Sequence, residues 1–127
     1  MAIKTFRDLV AWQRGMELTR AIYRATQSMP KTELFGLTSQ MRRAAASIPM
    51  NIAEGFGQHT RPELLHGLRL ATGSLFEVWT AYELATSLSM LEPEQPLLDL
   101  IAEEDRIISA LIRSLEDKTA RERRVKR

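Results

Sequence analysis

A proline in the middle of a long, evenly phased apolar stripe restricts this chain more than any other feature. Leu34, Leu37, Met41, Ala44, Ala45, Ile48, Ile52 and Phe56 recur at three- and four-residue steps, the period that lines one face of a helix. Pro49 falls inside the run. Its ring removes the amide that would bond the carbonyl of Ala45, and in an isolated helix that costs about 3 kcal/mol. The apolar phase nevertheless continues from Ile48 to Ile52 to Phe56. The spacing therefore predicts one kinked helix from about Thr32 to Glu54, with Gly55 and Gly57 as its stop.

The flanking segments carry the same period. Leu9, Trp12, Met16, Thr19 and Tyr23 form a first stripe, with Leu18, Ile22 and Ala25 beside it. Met29-Pro30 closes that helix, because the residue before proline is pushed out of the α region. Thr60-Arg61-Pro62-Glu63 reads as a capping box opening a third helix to about Met90, with Leu64, Leu68, Ala71, Thr72, Leu75, Val78, Trp79, Tyr82 and Leu88 turned inward. Glu92-Pro93-Glu94-Gln95-Pro96 marks the next turn. A last helix runs to about Lys118 on Leu97, Leu100, Ile101, Ile107, Ile108, Leu111, Ile112 and Leu115. No alternating run or Asn-Gly turn suggests a strand. The expectation is an all-α protein, an antiparallel up-down-up-down four-helix bundle with a proline-kinked second helix. A three-helix array with a detached arm is the alternative.

The second helix also bears a polar stripe. Gln40, Arg43, Ser47, Asn51 and Glu54 follow at helical steps, where a solvated face would show Lys and Glu. The structural account pairs Arg43 with Glu54 or Glu77 between helices, while Ser47 and Asn51 serve the carbonyl that Pro49 frees. The stripe as part of a subunit contact is the second account, and direct ligand contact the third.

Charge is segregated along the 127 residues, although the net value is only +2. Residues 1–61 hold nine Lys/Arg against four Asp/Glu, and residues 92–117 hold two against eight. The last ten residues hold six bases, Lys118, Arg121, Arg123, Arg124, Lys126 and Arg127, against Glu122. Residues 1–117 are accordingly read as the bundle domain and 118–127 as a basic C-terminal tail, the best candidate for nucleic-acid contact. The plainer account of that tail is a frayed, solubilising terminus. The absence of cysteine excludes disulfides and thiolate chemistry. No apolar run reaches the roughly 20 residues of a membrane span, and Met1–Asp8 lacks the apolar core of a secretory leader, so the expected location is cytoplasmic.

Signals for chemistry are weak. Glu63-x-x-His66 occurs once, whereas a di-metal carboxylate bundle needs two such motifs and further inward glutamates. Gly73-Ser74 in mid-helix is expected to admit a neighbouring backbone, not a cofactor. Trp12, Trp79, Tyr23 and Tyr82 are read as core or interface anchors. No catalytic, metal or cofactor residue is assigned, and the chain is not expected to be an enzyme.

Ser47-Ile48-Pro49-x-Asn51-Ile52-Ala53-Glu54-Gly55, with Gln40-x-Arg42-Arg43 before it and Gly73-Ser74-Leu75-x-Glu77 after it, resembles a known family. These are bacterial four-helix-bundle proteins first noticed as reading frames inside intervening sequences of 23S rRNA genes. Phe6-x-Asp8-Leu9-x-x-Trp12-Gln13 and Glu33-x-x-Gly36-Leu37 are similar to the family pattern as well. The resemblance implies a homo-oligomer, a pentameric ring, without a proven activity. Binding of RNA or DNA through a basic surface is the leading expectation, with Met90, Leu91, Leu98, Phe35 and Phe76 as the surplus apolar residues that hold the ring. A protein-docking adaptor for a polymerase or reverse transcriptase is the alternative.

Overall fold

The computed structural model describes residues 2–126. Four α-helices account for most of them: α1 Val10–Ala25, α2 Leu37–Gly57, α3 Arg61–Ser87 and α4 Gln95–Val125. Single 3-10 turns cover Phe6–Asp8, Thr26–Ser28 and Lys31–Glu33, and no strand forms among the described residues. Each helix packs on its neighbours in the chain, and α4 returns against α1. The shared interior is apolar, with Leu18, Ile22, Met41, Ile48, Ile52, Leu68, Leu75, Val78 and Ile101 fully buried.

Helix α2 is one unbroken helix through Pro49, and the proline ring is buried. Its start lies later than Thr32. Lys31–Glu33 forms a separate turn, and Gly36 precedes the first helical residue with φ −109° and ψ −115°. The Glu33 carboxylate accepts the Leu37 N–H at 3.2 Å, supplying the partner that a helix start lacks. The end also differs from the expected glycine stop. Gly55 and Gly57 are both helical, and the chain turns at His59, which takes φ 62°. Gly55 is needed for contact instead: a Cβ there would stand 2.8 Å from Glu63 O and 3.1 Å from Gly67 Cα. Backbone meets backbone where α2 and α3 converge.

Helix α1 is rotated from the expected stripe. Its buried line is Ala11, Gly15, Leu18 and Ile22, whereas Tyr23 is 45% exposed. Small residues carry no strong apolar signal, yet they let α1 approach closely, so the larger residues turn to the flanks. Trp12 packs edge-on against Phe6 with ring centroids 5.1 Å apart. Tyr23 lies 5.0 Å beneath the Arg42 guanidinium. Of the four aromatic anchors named from sequence, only Tyr82 is fully buried, and its hydroxyl accepts the Glu94 N–H at 2.8 Å across the α3–α4 joint.

At the start of α3 the Thr60 hydroxyl accepts the Glu63 N–H at 3.3 Å. The Glu63 side chain makes no return bond among the described residues, so only half of the expected capping box forms. Leu88, expected inside, is 59% exposed beyond the helix end. Leu91 belongs to the core, and Met90 and Leu98 pack against it. Only Phe35 and Phe76 of the proposed ring residues remain exposed, at 94% and 47%.

Candidate nucleic-acid interface

The basic segment is helical. Helix α4 continues through Val125, so Lys118, Arg121, Arg123 and Arg124 lie on its last turns and Lys126 caps it. All five are exposed; Arg127 lies outside the described residues. Part of the reason for bases here is local, since unpaired carbonyls make a helix C-terminus electronegative and nearby cations stabilise it.

The one acid of the segment is already occupied. Glu122 accepts two bonds from the Arg61 guanidinium, at 2.7 and 3.0 Å, which ties the end of α4 to the start of α3. Bonding to Arg61 holds the Glu122 carboxyl below its usual range, helped by Lys118 and Lys126. Nearby, Arg69 binds Glu116 at 2.7 Å, and a shallow concavity beside Arg123 is lined by Pro62, Leu65 and Thr119. The five cations on α4 make no ion pair among the described residues. Such groups attract phosphate by charge and read no base sequence.

The polar stripe of α2 forms a different site. Gln40 Nε2 donates to Glu77 Oε1 at 3.0 Å, joining α2 to α3. The Ser47 and Ser74 hydroxyls are 2.6 Å apart across the same pair, and Ser47 also donates to Ala44 O at 2.7 Å. Asn51 Nδ2 donates to Ser47 O at 2.8 Å. Arg43 and Glu54 are exposed and paired with nothing among the described residues, so the expected Arg43–Glu54 or Arg43–Glu77 link is not made. Along one helix, 11 residues place them about 16 Å apart. Glu77 meanwhile is taken by Gln40.

The carbonyl freed by Pro49 also finds an unexpected partner. Thr19 on α1 donates to Ala45 O at 2.9 Å, its hydroxyl lying 2.8 Å from Gly15 O as well. Ser47 and Asn51 serve other carbonyls. A threonine one helix away leaves no mark in the spacing of α2, and only packing brings it there.

Sequence reasoning also passed over Glu104. It stands in phase with Leu97, Ile101 and Ile108 on the buried line of α4, and an acid within an apolar stripe was a readable signal. It is fully buried, with neither carboxyl oxygen bonded among the described residues. Glu63 and His66 by contrast are exposed on α3. Gly73 is exposed with no atom within 4 Å of a Cβ built on it, whereas Gly67 is the glycine that meets a neighbouring backbone.

Residues 7–113 match the family model described as 23S rRNA-intervening sequence protein. None of the curated proteins matches the chain.

Proposed function

Because this chain belongs to the 23S rRNA-intervening sequence protein family, we propose that it is a non-enzymatic, self-associating cytoplasmic bundle that binds RNA or DNA through the end of α4. One observation carries this reading: five exposed cations crowd the end of α4, where the one acid among residues 118–126, Glu122, is held by Arg61. Phosphate contacts supply sequence-independent affinity that falls steeply with salt. In an assembly the cationic ends act together, and linked weak sites gain avidity.

The proposal includes an up-down-up-down antiparallel arrangement with α2 bent at Pro49. It is supported by contacts that join early residues of α3 to late residues of α4: Arg61 to Glu122 and Arg69 to Glu116. Self-association as a closed ring, five copies on the resemblance, is supported by apolar side chains left outside: Phe35, Met50 and Phe76.

Fluorescence anisotropy with labelled single-stranded and duplex RNA and DNA tests the binding, with light scattering on the same sample reading assembly. The wild-type protein is expected to bind each, its log affinity falling linearly with log salt. Substituting Lys118, Arg121, Arg123, Arg124 and Lys126 together by Gln, with Glu122 and Arg61 kept, is expected to weaken binding at least ~10-fold and flatten the salt slope. Equal binding by the variant moves the site elsewhere on the molecule. Indifference of the intact protein at 50 mM salt favours the second reading, an adaptor for a nucleic-acid-processing enzyme such as a polymerase or reverse transcriptase. The exposed apolar face around Phe35 and Met50, beside the unpaired Arg43, favours that reading.

A further inference from the structure

Glu104 is the one acid of this chain placed in the interior. Its residue exposure is 0%, and both carboxyl oxygens lie without a hydrogen-bond partner among the described residues. The space it occupies is made by a missing side chain. A Cβ on Gly15 of α1 would stand 2.9 Å from Glu104 Oε2, 3.3 Å from Ile48 and 3.4 Å from Pro49. The carboxyl therefore sits where α1, α2 and α4 meet, at the level of the proline. An ionised carboxylate in such a place needs a counter-ion or several donors, and the described residues supply neither. Arg14 on α1 is committed to Glu103 at 2.7 Å and Glu17 at 3.1 Å. Helix α2 turns Ile48 and Pro49 toward this corner, and the charged neighbours that bear on Glu104 are Glu103 from its own helix and Arg14 from α1.

The geometry points to a proton-binding site: the Glu104 carboxyl takes up one proton as α1, α2 and α4 close around it, and the packed bundle holds that proton through neutral pH. Burial pushes this carboxyl up to about 9, with Glu103 adding to the rise and Arg14 opposing it. In the unfolded chain the same group is an ordinary glutamic acid. Between those two values the unfolded state binds fewer protons than the folded one, so stability falls as pH rises. The contribution is complete below the ordinary carboxyl range, declines through neutrality and is gone above the folded-state value. One proton corresponds to a tenfold loss in the folding equilibrium for each pH unit across the window.

Two measurements on full-length protein test this. Denaturant unfolding in weak buffer at pH 7, followed with an indicator dye, is expected to release about one more proton from wild type than from Glu104→Gln. The second compares denaturant stability of the two proteins from pH 5 to 10. The neutral amide keeps the shape of the acid without its ionisation, so the ratio of folding constants, variant over wild type, is expected to rise toward tenfold per unit and level off above about 9. Equal proton release by the two proteins, or a ratio that does not change with pH, overturns the proposal. Should Glu104→Gln fail to fold, proton release by wild type alone still decides. Surface carboxyls are ionised in both states at pH 7 and add nothing to the signal, so the absence of proton release from wild type refutes the site.

Discussion

Glycines at 67 and 73 lie six residues apart on α3 and meet opposite surroundings. A Cβ at Gly67 would be 2.5 Å from Asn51 O and 3.1 Å from Gly55 Cα, and backbone cannot move aside cheaply. Gly67→Ala is expected to destabilise by about 3 kcal/mol in urea unfolding, by overpacking the α2–α3 crossing. At Gly73 a Cβ meets nothing within 4 Å, so only the entropic disadvantage of glycine in a helix is left. Gly73→Ala is expected to stabilise by about 1 kcal/mol on the same assay. The pair of substitutions separates a packing glycine from one that the protomer does not require; nothing within this chain explains why Gly73 is glycine.

Among elements, α2 shows how a proline is accommodated in a helix interior. Pro49 leaves Ala45 O without its intrahelical donor, and Thr19 reaches across from α1 to supply one at 2.9 Å. Thr19→Val keeps the volume and removes the donor, and should cost about 2 kcal/mol through the orphaned carbonyl. With Pro49→Ala in the background the restored amide can bond Ala45 O itself. The cost of Thr19→Val is then expected to shrink by about 1 kcal/mol, a coupling read by a double-mutant cycle of thermal or urea unfolding. Additive effects would mean that the two residues act separately. Helix α4 poses the opposite case: its acidic middle meets α1 and α3 through Arg14 and Arg69, and its cationic end is left to solvent apart from the Arg61–Glu122 pair.

For the whole molecule, ionisation sets a stability optimum on the acid side of neutral. Backbone N–H groups of Thr5 and Lys4 hold the Asp8 carboxyl below the ordinary aspartate range, and Arg61 holds Glu122 below the ordinary glutamate range. Depressed carboxyls stabilise above their unfolded-state values and lose that contribution as pH falls through the folded ones. Glu104 acts in the reverse sense, its stabilisation fading as pH rises. The melting temperature of wild type is therefore expected to peak near pH ~5, and that of Glu104→Gln to stay level toward neutrality. A wild-type maximum at pH 8 would contradict the buried neutral acid.

The helices themselves were written in the sequence, because apolar period and breakers are local: the stripe across Pro49, the Met29-Pro30 stop and the Thr60 cap each fix an element from a few neighbouring residues. The basic run of six and the family motif were equally legible. Which face of α1 turns inward was not, because Ala11 and Gly15 are buried for their smallness and not for their hydrophobicity. Neither the turn at His59, nor the Gly67 crossing, nor the Thr19 bond to Ala45 could be read from spacing. The carboxyl of Glu104 is the clearest instance. Its place in the apolar phase was visible, but a lone acid becomes a held proton only when three helices exclude both water and counter-ion, and that exclusion exists only in three dimensions.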